Sequence, residues 1–284
     1  MIADRLASMA ALIRPKVSLA VAAGSLFGAL YHGHLHGGVQ MGAAFTAAAG
    51  AFLLCGGCSA LNQVQERGRD ARMARTRERP LASGRMTPGR GALRAGLFGG
   101  AGLLLFFLAG GWPVLLAGLA VVAVYNGLYT PLKTVSPTAL LAGGVAGAAP
   151  PLTGWLAAGG PVLDPHILGV TAIFYLWQVP HFWLLAEKHR ADYIRAGFAV
   201  LGPGLDPKLR AGLMGVWVAA YFTALGCFAG LAGPASLRAF VPPVLLLAGA
   251  AAAWLAASDH PRPALAAMHC SLPLGLATLL LATT

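Results

Sequence analysis

The chain has 284 residues, of which 57% are hydrophobic and only 10% charged, and its mean hydropathy is +0.70. A soluble domain carries about 25% charged residues, so this composition excludes an ordinary water-soluble enzyme and points to an integral membrane protein. The formal net charge of +11 would suit nucleic acid, but its distribution along the chain reads as membrane topology and leaves no nucleic-acid partner.

A spanning helix needs roughly 20 mostly apolar residues. Nine stretches qualify, at roughly 12–31, 41–62, 92–110, 112–131, 138–158, 166–187, 211–231, 239–257 and 264–282. Residues 1–16 carry Arg5, Arg14 and Lys16, but the first apolar run is long enough to span, so it reads as a membrane helix and not a cleaved signal. Near its end lies Tyr31-His32-Gly-His34-Leu-His36, whose alternating histidines could gather a metal only if the backbone were extended. The second span holds Cys55-Gly-Gly-Cys58, where small residues favour close helix packing over redox or metal chemistry. All four cysteines (Cys55, Cys58, Cys227, Cys270) lie in expected spans, which argues against a disulfide framework.

Residues 62–81 follow the second span directly and contain six arginines. If the helix continues, Asn62, Glu66 and Asp70 fall at i, i+4 and i+8 and share one face. Oxygen ligands at a membrane boundary, ringed by guanidinium groups, suit Mg²⁺ gripping a diphosphate. A run of arginines alone sets topology; it does not explain three oxygen ligands in helical register. Gly110-Gly111 then separates spans three and four, and span four closes on Tyr125, Asn126, Tyr129 and Lys133. Span five is rich in glycine and alanine and contains Pro150-Pro151, so it should pack tightly or kink.

Span six carries Trp177-Gln178-Val-Pro180-His181-Phe182-Trp183. His181 could ligate a metal or haem iron, shuttle a proton, or bond a carbonyl freed by Pro180. Its aromatic neighbours would suit a flat conjugated substrate, a carbocation or lipid. The loop at 188–210 adds Lys188, Arg190, Asp192 and Arg195. With nine spans, 19 of the 20 Lys and Arg residues fall on the N-terminal side and Arg238 alone on the other. The positive-inside rule makes that side cytoplasmic. A site opening to the cytoplasm is expected, because the long polar loops 63–91 and 188–210 both lie there.

Several of these segments resemble one family. Asn62-x-x-x-Glu66-Arg67-x-x-Asp70-Ala-Arg72-Met73-x-Arg75-Thr76-x-x-Arg79-Pro80-Leu81 is similar to the first acidic motif of UbiA-type intramembrane prenyltransferases. Tyr129-Thr130-Pro131-Leu132-Lys133, Gly143-Gly144-x-x-Gly147-Ala-x-Pro150-Pro151-x-x-Gly154-Trp155, Trp177-Gln178-x-Pro180-His181-Phe182-Trp183 and Arg190-x-Asp192-Tyr193-x-x-Ala196-Gly197 continue the likeness. The Pro-Pro-x-x-Gly-Trp and Pro-His-Phe-Trp segments point to its haem-modifying branch, the protohaem IX farnesyltransferase (haem O synthase) family. Glu66 stands where aspartate is usual, Ala191 where many relatives carry a charged residue, and Phe198-Ala-Val-Leu-Gly202 lacks an expected proline.

The resemblance implies one all-α transmembrane domain over 1–284, with nine helices around a central cavity and loops 63–91 and 188–210 as a diphosphate cap. It implies transfer of farnesyl from farnesyl diphosphate to a vinyl group of haem B, giving haem O and pyrophosphate. By similarity Asn62, Glu66, Asp70 and Asp192 would hold Mg²⁺, and Arg67, Arg75, Lys133 and Arg190 would grip phosphate. His181, with Trp177, Tyr129 and Asn126, would face the haem acceptor. The implied setting is a bacterial plasma (inner) membrane, with the lipid bilayer as solvent and a downstream haem-modifying or oxidase-assembly protein as a further partner. Competing readings are a related enzyme acting on a quinone precursor or another tetrapyrrole, and a transporter or haem-binding assembly factor.

Overall fold

A computed structural model describes residues 2–201, 206–232, 241–257 and 261–281. Among these the fold is helical, with no strand. The order is α1 (Ile2–Ile13), α2 (Pro15–His36), α3 (Met41–Asp70), α4 (Pro88–Val122), a π-helical turn at Ala123–Tyr129, α5 (Thr130–Leu132) and α6 (Ala139–Ala157). There follow α7 (Pro165–Lys188), α8 (Arg190–Arg195), α9 (Pro207–Ala232), α10 (Val241–Ala257) and α11 (Pro261–Leu281). By length and apolarity six helices could cross a membrane, and a seventh if α1 and α2, bent by 47°, form one span. Arg238 and Gly202 lie outside the described residues.

The outer surface is apolar. On α4, Leu93, Leu97, Leu104 and Leu108 are all more than half exposed and recur every four or seven residues, which aligns them on one helix face. A stripe of that kind is unstable against water and stable against lipid. α4 and its continuation also reverse direction. Gly110 and Gly111 leave the helical region, and Gly111 takes φ 68°, ψ −149°, a conformation essentially reserved for glycine. A β-carbon on Gly118 would lie 2.6 Å from Phe106, yet twelve residues of straight helix would separate the two by about 18 Å. The segment is therefore a helical hairpin, with its turn at the expected Gly110-Gly111 connection.

Glycines bring helices into backbone contact. A β-carbon on Gly28 of α2 would sit 1.8 Å from the Pro151 carbonyl oxygen, and one on Gly154 of α6 would sit 1.7 Å from the Ser25 carbonyl oxygen. One on Gly57 would meet the Gly99 amide nitrogen at 2.5 Å, so the Cys-Gly-Gly-Cys segment does pack closely, against α4. All four cysteines are free thiols. Pro150 and Pro151 stay inside a continuous α6; Pro151 has no N–H for the Gly147 carbonyl, and Gln178 Nε2 donates to that oxygen at 3.3 Å.

α2 runs through the histidine run to His36, which is helical and not extended. Helical geometry places His32 and His36 on one face, where their rings stack at 4.4 Å. His34 points elsewhere, so the run does not gather as an extended ligand set would.

Candidate active site

α3 continues 30 residues to Asp70, about 45 Å, well past the width of the apolar core. Asn62, Glu66 and Asp70 therefore do share one face, and all three are buried, at 6%, 5% and 3% exposure. Each is held by a different partner. Asn62 Nδ2 donates to Thr130 Oγ1 at 3.1 Å, which leaves its carbonyl oxygen to accept a cation. Glu66 Oε1 forms an ion pair with Lys133 Nζ at 2.5 Å. Arg79 Nη1 donates to Asp70 Oδ2 at 2.8 Å.

Two of these partners come from the end of the α4 hairpin. The π-helical turn at Ala123–Tyr129 precedes Pro131, which has no N–H to continue an α-helical ladder. Thr130 Oγ1 instead donates to the Tyr125 carbonyl at 2.8 Å and accepts from Asn62. Asn126 faces α3: its Nδ2 donates to the Cys58 carbonyl at 3.1 Å and to Gln65 Oε1 at 3.2 Å. Its own Oδ1 is buried without a partner.

The two polar loops meet over Lys133. Met73 packs with Tyr193, Ala196 and Phe198 in a small buried cluster. The Arg69 guanidinium lies 5.8 Å from the Phe198 ring centroid, and Lys133 Nζ lies 5.5 Å from the same ring and 4.7 Å from Tyr129. The Ala199 amide donates to the Lys133 carbonyl at 2.9 Å. Beneath them is a pocket lined by Tyr129, Lys133, Phe182, Arg190, Tyr193 and Leu201, among others. Tyr129 and Phe182 stack across it at 6.1 Å.

Other expected residues lie elsewhere. Arg67 turns back along its own helix to the Val64 carbonyl at 3.1 Å and is exposed. Arg75 is exposed near His189. Arg190 grips both carboxylate oxygens of Glu187, at 2.9 and 3.1 Å. Asp192 pairs with Arg195 on α8. Burial holds the His189 imidazole below its ordinary pKa, Arg75 and Lys188 add to that, and Asp192 opposes it. Among the described residues no three His, Cys, Asp or Glu side chains converge as a preformed metal cage.

His181 and Trp177 face α11, not the Lys133 pocket. Trp177 Nε1 donates to the Met268 carbonyl at 2.8 Å, and its indole stacks on His181 at 4.5 Å and 10°. His181 Nδ1 lies 3.1 Å from His269 Nε2, so its ring spans two helices and does not bond a carbonyl freed by Pro180. Sequence reasoning had no role for Arg79, Glu187, Thr130 or His269. For Arg79 a signal existed in the Arg79-Pro80 step that closes the arginine-rich turn; His269 offered none.

The family model described as UbiA prenyltransferase family matches residues 16–281. The chain belongs to that family. Similar proteins named protoheme IX farnesyltransferase include one from Oleidesulfovibrio alaskensis, 45% identical over 222 residues, which are 78% of this chain and 76% of that one. Another, from Geobacter sulfurreducens, is 43% identical over 207 residues, 71% of this chain and 76% of its own. Among solved structures, the apo UbiA homolog from Aeropyrum pernix K1 superposes with a TM-score of 0.76 at 17% identity, covering 95% of this chain and 98% of that one. A UbiA homolog from Archaeoglobus fulgidus bound to GPP and Mg²⁺ gives 0.66 at 13% identity, covering 97% and 99%. At these identities the structures speak for the fold alone. The protein is thus an all-helical integral membrane protein of UbiA fold.

Proposed function

We propose that this protein transfers farnesyl from farnesyl diphosphate to a vinyl group of haem B, forming haem O and pyrophosphate. The relatives named for that activity, aligned over most of both chains, support the substrate pair. The observation that carries the chemistry is the buried face of Asn62, Glu66 and Asp70 beside Lys133 and Arg79.

The donor set fits Mg²⁺: two carboxylates and an amide oxygen are hard ligands, and each keeps an oxygen not engaged by its partner. When bound, the metal supplies positive charge that weakens the bond between the allylic carbon and the departing pyrophosphate. Lys133 and Arg79 already stand against the carboxylates, so they can pass from carboxylate to phosphate oxygens as substrate enters. Arg190 and Arg75 would complete the grip from the rim, with Asp192 as a further ligand. Tyr129 and Phe182 present π faces to a developing allylic cation and keep water from it. The haem vinyl group then bonds to the allylic carbon, and the cation left beside the ring takes up water and releases a proton.

We read nine crossings in this chain. The six candidate spans become seven when the Gly110-Gly111 hairpin counts as two, eight with the α1–α2 pair, and nine with the shorter apolar helix at Pro243–Leu255. We read the whole as one domain over 1–284, with loops 63–91 and 188–210 as its diphosphate cap. By the positive-inside rule the basic loops favour a cytoplasmic N-terminus and cap, and we assign the protein to a bacterial inner membrane. Haem O would pass to a further haem-modifying or oxidase-assembly protein.

Asp70→Asn tests the metal and diphosphate face. It keeps size and helix register, so fold and haem binding should persist while turnover falls at least 100-fold. Turnover near that of the unsubstituted protein would remove Asp70 from the chemistry.

A further inference from the structure

His181 is one residue from the wall of the Lys133 pocket, because its neighbour Phe182 stacks on Tyr129. Its own ring is fixed on two sides. The Trp177 indole lies parallel to one face, and His269 Nε2 meets the Nδ1 edge at 3.1 Å. The Trp177 bond to the Met268 carbonyl, at the residue before His269, sets the register of α11 against α7. The two histidines also lie at matching depths. His181 is seven residues before the end of α7 at Lys188, and His269 eight after the start of α11 at Pro261, both about 10–12 Å along the helix.

Two imidazoles that share one hydrogen bond constrain each other's tautomers. When His181 Nδ1–H donates to His269 Nε2, the His181 Nε2 lone pair is left for a ligand, and no hydrogen bond occupies that nitrogen among the described residues. Histidines that bind a metal usually donate their other ring N–H in this way, which fixes ring orientation and raises ligand basicity. We infer that His269 is a positioning residue, which holds His181 so that its Nε2 faces the iron of the tetrapyrrole acceptor. This deepens the proposed function and rests on haem B being that acceptor.

The test uses the full chain in detergent or nanodiscs, titrated with haem B alone. The unsubstituted protein should show the spectrum of histidine-ligated iron, and His181→Ala should lose it. His269→Ala should keep ligation but bind haem B about 10- to 100-fold more weakly, with a lowered iron–histidine stretch in resonance Raman spectra of the ferrous form. His269→Gln, whose amide oxygen can accept the Nδ1–H, should recover most of both. Should His269→Ala fail to fold, His269→Leu supplies the same contrast with His269→Gln. Identical affinity and stretch in the alanine or leucine variant and the unsubstituted protein would overturn the role of His269. A His181→Ala protein with unchanged iron ligation would overturn it too. Either result is separable from failure of the function itself, which is read as missing haem O in a different assay.

Discussion

Lys133 is the residue on which the site turns. It pairs with Glu66 at 2.5 Å, and both are largely buried. Removing one member of such a pair leaves a charge without compensation, at a cost of about 3 kcal/mol. Lys133→Met should therefore lower thermal stability as well as activity, and adding Glu66→Gln should restore part of the stability but none of the activity. A double-mutant cycle read by thermal denaturation checks this; additive losses would mean the two residues do not couple. His189 gives a pH signature. Its folded pKa is depressed, so between that value and the ordinary 6.5 the unfolded chain binds more protons. Its contribution to stability should be fully present above pH 6.5 and lost as pH falls through the folded pKa, and His189→Gln should flatten that part of the curve. At this scale the register of Asn62, Glu66 and Asp70 was legible, because helical spacing is local. Their partners were not: Thr130 lies 68 residues from Asn62, and nothing local pairs them.

Among the elements, glycine decides where helices can touch. α2 and α6 approach so closely that no side chain fits at Gly28 or Gly154. Gly28→Val would drive two methyl groups into the Pro151 carbonyl and should cost several kcal/mol, beyond the 1–3 kcal/mol typical of overpacking. Loss of folded protein in size-exclusion chromatography should follow, while Gly42→Val, at a position with open space, should behave as the unsubstituted protein. The close-packing role of the Cys55–Cys58 segment and the turn at Gly110-Gly111 were readable because each rests on glycine chemistry. The π-helical turn and the His181–His269 contact were not. The first depends on how Asn126 and Thr130 are held by α3, and the second on the relative register of helices 88 residues apart.

For the whole molecule, composition gave the membrane, and the exposed leucines of α4 bear that out. The charge asymmetry supports an arrangement in which both polar loops lie at one end, and those loops do meet, through Met73, Tyr193, Ala196 and Phe198. A buried acidic face, with a cationic partner for each of its two carboxylates, lies beside a pocket lined by Lys133, Tyr129 and Phe182. At this site we propose that a farnesyl group is joined to haem. The most direct measurement incubates membranes containing the protein with haem B, farnesyl diphosphate and Mg²⁺, then separates the pigments by chromatography and weighs them. A new haem of haem O mass, absent without Mg²⁺ and absent with Asp70→Asn, is the expected result; recovery of haem B alone, with folded protein in the membrane, would contradict it.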